Sequence, residues 1–222
     1  MRVSLSVLSS LFMAGVLAQT TPPKSANVDQ VIGHYRFKSG SISSVEKSGE
    51  TLIVTSTGQP PQSISASADG KFSYAAIPAY LTFDGNGSSP SKTLTFHYDD
   101  RTLEASRIDA AEAKKVADAW QQKIKDQTHD PACANTLKRL IGEIRSGKPD
   151  FDKMTLGLAQ ATRTQLPMMQ SRFEQLGDVK EVKFLSVAPN GAEQFDVAFE
   201  KGATQWRILC LPNGYVAAVG FR

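Results

Sequence analysis

The chain of 222 residues is 41% hydrophobic and 21% charged, which is an ordinary composition for a globular protein. Its 25 lysines and arginines against 22 acidic residues leave a formal net charge of +3. This excess is small, and no basic cluster alternates with aromatic residues, so we expect no nucleic-acid partner. The length suits one large domain or two small ones.

Residues 1–18 have the pattern of a secretory signal peptide. Arg2 supplies the positive charge, an uncharged apolar run extends to Leu17, and cleavage is expected after Ala18. The run is shorter than the roughly 20 residues that a membrane span needs. We therefore expect a secreted or periplasmic protein with no membrane span after cleavage. Residues 19–30 are polar and rich in proline, which predicts a flexible lead-in.

Residues 31–108 predict a small antiparallel β-barrel or meander. Short alternating segments are separated by turn signals such as Asp69-Gly70 and Gly58-Gln59-Pro60-Pro61. The predicted strands are 33–37, 41–47, 51–57, 62–66, 71–75, 80–83, 92–98 and 103–108.

The pattern changes to a helical period at Asp109. Asp109 and Glu112 fit the N-terminal capping pattern, and an apolar stripe that includes Trp120 follows. Residues 109–126 are therefore predicted to form a helix that links two domains.

Residues 127–222 predict an α+β domain, in which helices pack on a curled four-stranded antiparallel sheet. Asp130-Pro131 opens one helix, and Pro167 is expected to kink or split the next helical stretch, 155–176. Asn-Gly turns separate later alternating runs. The predicted strands are 179–187, 194–200, 204–211 and 215–221.

The two cysteines are predicted to face each other across the helix–sheet interface. Trp206 and Cys210 share one face of a strand, which should be the core face, while Cys133 lies on the apolar side of its helix. A Cys133–Cys210 disulfide is therefore expected in an oxidising compartment. The alternative is a pair of buried free thiols.

The first half carries a family resemblance. Gly33-x-Tyr35 and the Thr57–Pro60 turn, with Phe72, Phe83 and Leu94, are similar to the small β domain of unknown function that follows class C β-lactamase-like serine hydrolases. Residues 131–222 resemble the tails of such proteins, and their element order resembles cystatin-like and nuclear-transport-factor-2-like (NTF2-like) folds. This implies the accessory parts of a hydrolase system without its catalytic domain.

The residues themselves predict no catalytic or metal site. Ser44 and Lys47 match an S-x-x-K spelling, but they lie in a predicted strand, where residues three apart face opposite sides. His34 and His97 are expected at the barrel surface or rim, and His129 in solvent. The sequence predicts no metal and no cofactor.

The predicted sheet also leaves room for an enzyme alternative. An NTF2-like pocket needs an inward carboxylate in an apolar cavity. Phe195, Val197 and Phe199 should instead fill the inward face, with Asp196 outward. We therefore expect ionisable groups of this sheet to face water.

The predicted function is that of an exported, non-catalytic accessory or binding protein. Its partner would be a protein or the cell envelope, in relation to serine hydrolase systems. One alternative is carriage of a small apolar ligand in a barrel or cone-shaped cavity, and another is a weak enzyme using the NTF2-like pocket. The aromatic residues that would line a barrel mouth, or simply form its core, are Tyr35, Phe37, Tyr74, Tyr80 and Phe83.

Overall fold

The computed structural model describes residues 28–49, 51–85 and 88–222. The predicted signal peptide, 1–18, and most of the predicted lead-in, 19–30, lie outside these ranges. The last residues of that lead-in belong to a short helix, α1 (Val28–Val31). Among the described residues, no helix combines the length and hydropathy needed to cross a bilayer.

The N-terminal region forms a closed antiparallel barrel. Each strand pairs with its neighbour in sequence, and the first strand also pairs with the last, with Tyr35 opposite Arg107. The strands are β1 (Gly33–Phe37), β2 (Ile42–Ser48), β3 (Thr51–Ser56), β4 (Gln62–Ala66), β5 (Phe72–Tyr74), β6 (Ala79–Phe83), β7 (Thr93–Tyr98) and β8 (Arg101–Ile108).

Helix α1 plugs one end of the barrel. Val31 is buried against the barrel core, and the hydroxyl of Tyr35 donates a hydrogen bond of 2.9 Å to its carbonyl oxygen. Arg107 points into the same end and donates to the carbonyl oxygens of Ile32 and Gln30 and to the Tyr35 hydroxyl. This end is therefore closed by apolar packing and by a satisfied guanidinium.

The second half contains three long helices and a separate sheet. The sheet has the antiparallel order β12-β11-β10-β9, and its strands follow one another in sequence. The elements are α2 (Ala110–Asp126), α3 (Pro131–Arg145), α4 (Leu156–Leu176), β9 (Val179–Val187), β10 (Glu193–Phe199), β11 (Gly202–Cys210) and β12 (Val216–Phe221).

The strand alternation predicted for this sheet is confirmed. Phe195 and Val197 are fully buried against α3 and α4, and Trp206 and Ile208 lie on the same side. The predicted Cys133–Cys210 disulfide is also confirmed, and it joins α3 to β11. The two-residue alternation of β11 and the 3.6-residue period of α3 thus place both cysteine side chains in one interface.

The predicted fold class, a β domain followed by an α+β domain, is wrong. The structure is mostly β, with a closed eight-stranded barrel, then helices, then a separate four-stranded sheet. The N-terminal barrel itself is confirmed. The difference arises because the pairing of β1 with β8 closes the barrel, and alternation reports which face a residue occupies but not which strands become neighbours.

Two local details of the helices also bear on the predictions. The Asp109 side chain accepts a hydrogen bond from the Glu112 backbone N–H, which confirms the predicted cap. Helix α4 is one element across Pro167, so of the two predicted outcomes, a kink or a split, the split does not occur. Buried Met169 and Phe173 anchor the helix beyond the proline, and this packing compensates for the lost backbone hydrogen bond.

The Thr57–Pro60 turn connects the barrel to the outer face of the sheet. Gly58 has a φ of +71°, and a Cβ there would lie 2.6 Å from Cδ2 of Leu209. Its carbonyl oxygen accepts a hydrogen bond of 3.5 Å from the Asn190 side chain. The turn therefore needs glycine for its conformation and for its close approach to the sheet.

Candidate functional site

The open end of the barrel, called the mouth, faces the second half of the chain across a cleft. The mouth is formed by the inward-facing residues Phe37, Gln62, Tyr74, Phe96 and Arg101. The cleft between the mouth and the segments around α4 and β12 has a volume of about 1330 Å³. It arises because α1 closes only the opposite end and the second half does not fill the gap.

The floor of this mouth cleft is apolar. Val54 and Leu81 lie deepest and are almost completely buried, while Tyr74 and Phe96 form an edge-to-face pair with ring centroids 6.0 Å apart. Leu103 stands at the rim and is 39% exposed. An apolar molecule that entered here would remove both its own surface and these side chains from water.

The rim of the cleft is lined by many polar side chains, and two of their atoms are unpaired within the described ranges. The hydroxyls of Ser43 and Ser56 bind each other at 2.6 Å. Gln62 Oε1 and Arg101 Nη1 are buried and have no hydrogen-bond partner among the described residues. A buried polar atom without a hydrogen-bond partner destabilises the folded protein.

Burial acts on Tyr74 at the mouth, and the charged side chains along the cleft are Arg36, Lys38, Arg101, Glu104 and Asp152. Burial raises the pKa of Tyr74 to about 12, because the phenolate would lose its hydration there. Arg101 Nη2 lies 3.6 Å from the carboxylate of Asp152, across the cleft. The mouth therefore favours neutral phenol and holds a loosely bound guanidinium.

The structure separates the five aromatic residues that were predicted to line the mouth. Phe37 and Tyr74 do line the cleft. Tyr35 and Phe83 pack together in the barrel core, with ring centroids 5.6 Å apart. Tyr80 lies on the outer wall and stacks on His97 at 4.3 Å, because strand alternation turns it away from the core.

The residues of the S-x-x-K spelling do not form a catalytic pair. Ser44 lies on the outer wall of β2, where its hydroxyl oxygen is 2.8 Å from His34 Nδ1. Lys47 is three residues further along the same strand, which puts it on the opposite face. His97 Nε2 is 2.8 Å from the Thr82 hydroxyl oxygen.

One ionic cluster departs from the expectation that ionisable groups of the sheet face water. Glu193, the first residue of β10, is fully buried. Its carboxylate lies 2.6 Å from Lys123 Nζ and 2.8 Å from His129 Nδ1, and it accepts a hydrogen bond from the Asp130 backbone N–H. His129, which was expected in solvent, also stacks on Phe184.

Sequence reasoning missed this cluster although a signal was present. Glu193 lies two residues before Phe195 and four before Val197. Side chains two residues apart in a strand point to the same face, so the alternation places Glu193 inward. The cluster ties α2 and the start of α3 to β10. Glu193 lines none of the clefts described here, so we assign the cluster to stability.

Two smaller clefts are shallower candidates. One of about 480 Å³ lies between the apolar stripe of α2 and the Thr57–Pro60 turn. The other, of about 470 Å³, lies over Ala198 and Ala203 on the outer face of the sheet. The mouth cleft is larger and alone among the three reaches into the barrel, so we take it as the candidate site.

The helix-facing side of the sheet, where an NTF2-like pocket was considered, is filled. Phe173, Phe195 and Ile208 are completely buried there. In the described ranges, no three His, Cys, Asp or Glu side chains are placed to hold one metal ion.

The chain was compared with known proteins in three ways. No family model matches it, and neither the curated proteins nor the solved structures contain a significant match. The resemblance to the β domain of serine hydrolases therefore stays an expectation.

Proposed function

We propose that this protein binds a small, largely apolar ligand in the mouth cleft. The observation that carries the proposal is the continuity of the cleft with the barrel interior, where Val54, Leu81 and Phe96 form its floor. An eight-stranded barrel is wide enough inside for side chains or for one small ligand. A molecule narrow enough to reach the barrel interior matches this shape, so the proposed occupant is a small molecule.

The proposed site of action is outside the cytoplasm. The support is the signal-like pattern of residues 1–18 and the Cys133–Cys210 disulfide, since such bonds persist in oxidising compartments. A carrier in the periplasm or the medium would shield an apolar molecule from water.

The experiment is a titration of the purified protein with dodecanol, a neutral amphiphile, while thermal unfolding is followed. Because a ligand that binds only the folded state stabilises it by mass action, the unfolding temperature should rise with dodecanol concentration. Nile red, a neutral dye, should bind with increased fluorescence and be displaced by dodecanol. Failure of both probes to bind would overturn the proposal.

A matched pair of variants locates the binding. Leu103→Asp puts a carboxylate at the rim of the cleft, whereas Leu185→Asp puts one on β9 outside it, at a side chain of similar exposure, 39% against 41%. We expect Leu103→Asp to weaken Nile red binding about tenfold, because an apolar ligand would desolvate the charge. Leu185→Asp should bind like the parent protein, and equal losses would place the site elsewhere.

Association with a protein or with the envelope, as an accessory of a serine hydrolase system, remains a second proposal. The observation in its favour is Met168 on α4, which is 66% exposed and lies away from the residues of the mouth cleft. Exposed methionine is common at adaptable contact surfaces. Mixing with a purified class C serine hydrolase and measuring sedimentation tests it, with Met168→Lys expected to weaken any complex.

A further inference from the structure

The guanidinium of Arg101, at the start of β8, is poorly paired. Arginine presents five N–H donors in a planar fork. Nη1 has no hydrogen-bond partner in the part of the chain that the structure describes, and Nη2 approaches Asp152 only to 3.6 Å, beyond hydrogen-bond distance. Arg101 therefore has donors to offer at the edge of an apolar cleft.

Two other arginines of the barrel differ from Arg101. Arg107, at the plugged end, donates to backbone carbonyl oxygens and to the Tyr35 hydroxyl. Arg36, on the outer wall of β1, binds the Glu112 carboxylate on α2. Arg107 and Arg36 thus have partners within the protein, whereas Arg101 has donors that no described residue pairs.

We infer that the ligand of the mouth cleft is an amphiphile with an anionic head group, which binds the guanidinium of Arg101 while its apolar part contacts Tyr74 and Phe96. This inference rests on the proposed function and specifies its ligand class. A carboxylate matches the fork of a guanidinium with two parallel hydrogen bonds. The neutral wall below would receive the hydrocarbon part.

Asp152 then acts as a competitor for the head group. Its carboxylate is highly exposed and holds Arg101 only by the long contact across the cleft. An arriving anion makes shorter contacts with the guanidinium and leaves Asp152 in water, where a charge costs little. Removing the Asp152 charge should therefore strengthen anion binding without affecting a neutral ligand.

The test compares dodecanoate with dodecanol, which share a chain and differ in the head group. The full chain is titrated with each by displacement of Nile red at neutral pH. We expect dodecanoate to bind about tenfold more tightly, as a charge-assisted hydrogen bond allows. Arg101→Gln should abolish this preference and leave dodecanol binding in place, and Asp152→Asn should increase it.

Arg36→Gln is the matched control, since it removes one positive charge from an arginine that also lines the cleft but is already paired with Glu112. It should keep the dodecanoate preference. Equal binding of the two probes, or a preference that survives Arg101→Gln, overturns the inference and leaves the proposed function intact. Binding of neither probe overturns both. If Arg101→Gln does not fold, the Asp152→Asn result decides.

Discussion

The ammonium group of Lys123 lies 2.6 Å from the carboxylate of Glu193, which is completely buried at the start of β10. His129 contacts the other carboxylate oxygen at 2.8 Å. Helix α2 is thus bound to the sheet by a charge pair as well as by Trp120, which packs against the buried cluster of Ala188, Ala192 and Leu209. The relative placement of barrel, linking helix and sheet, on which the mouth cleft depends, rests on such contacts.

Removing Lys123 should destabilise the protein more than neutralising both partners. Lys123→Met leaves the Glu193 carboxylate buried with one charge partner fewer, and we expect a loss of about 3 kcal/mol in the free energy of unfolding. The double variant Lys123→Met, Glu193→Gln should recover part of this loss, because no unpaired anion remains. Urea unfolding of a complete double-mutant cycle measures the coupling. Additive losses would show that the two groups do not interact.

The Cys133–Cys210 disulfide should contribute substantially to stability. It closes a long loop, with the cysteines 77 positions apart, and we expect replacement of both by alanine to cost about 2–4 kcal/mol. Urea unfolding with and without a reducing agent measures this, and reduction should lower the stability of the parent protein to that of the double variant. A reductant effect on the double variant would contradict this explanation.

The Thr57–Pro60 turn should tolerate no side chain at Gly58. Gly58→Ala adds a Cβ at positive φ and 2.6 Å from Leu209, whereas Gly49→Ala has positive φ with open space around it. We expect Gly49→Ala to cost about 1 kcal/mol from backbone strain, and Gly58→Ala to cost clearly more. Thermal unfolding compares the two, and equal losses would mean that the contact with the sheet is readily relaxed.

Stability should decline at high pH because of buried tyrosines. Burial raises the pKa of Tyr74 to about 12, and that of Tyr35 also to about 12, above the value near 10 of an unfolded tyrosine. The contribution of these two tyrosines to the free energy of unfolding is therefore complete below about pH 10. It is lost as the pH rises through about 12, because their hydroxyls ionise more readily in the unfolded chain. Tyr74→Phe should flatten part of this decline in urea unfolding across that range. An unchanged slope would show that Tyr74 is open to water.

Much of the local structure could be predicted from the sequence. The alternation of Phe195, Val197 and Phe199 gave the buried face of β10, and the same rule placed Cys210 opposite Cys133. These predictions succeeded because side-chain direction is a local property of a strand or helix. Glu193 followed the same rule and was missed only because the predicted strand began one residue too late.

Only part of the mouth cleft could be predicted, because which residues line it depends on long-range pairing. Tyr35 and Tyr74 look alike as aromatic residues in alternating strands, yet one packs beside the α1 plug and the other lines the opening. That difference is set by which barrel end α1 closes and by the pairing of β1 with β8. The poor pairing of Arg101 likewise depends on residues far away in sequence.

The most direct test of the central claim, that the mouth cleft binds a small apolar ligand, is a nuclear magnetic resonance titration of the full chain with dodecanol. Backbone amides of Tyr74, Phe96 and Leu103 should shift together and saturate as for a single site. Saturable shifts centred instead on Val116 and Trp120, in the groove beside α2, or no saturable shifts at all, would contradict the account.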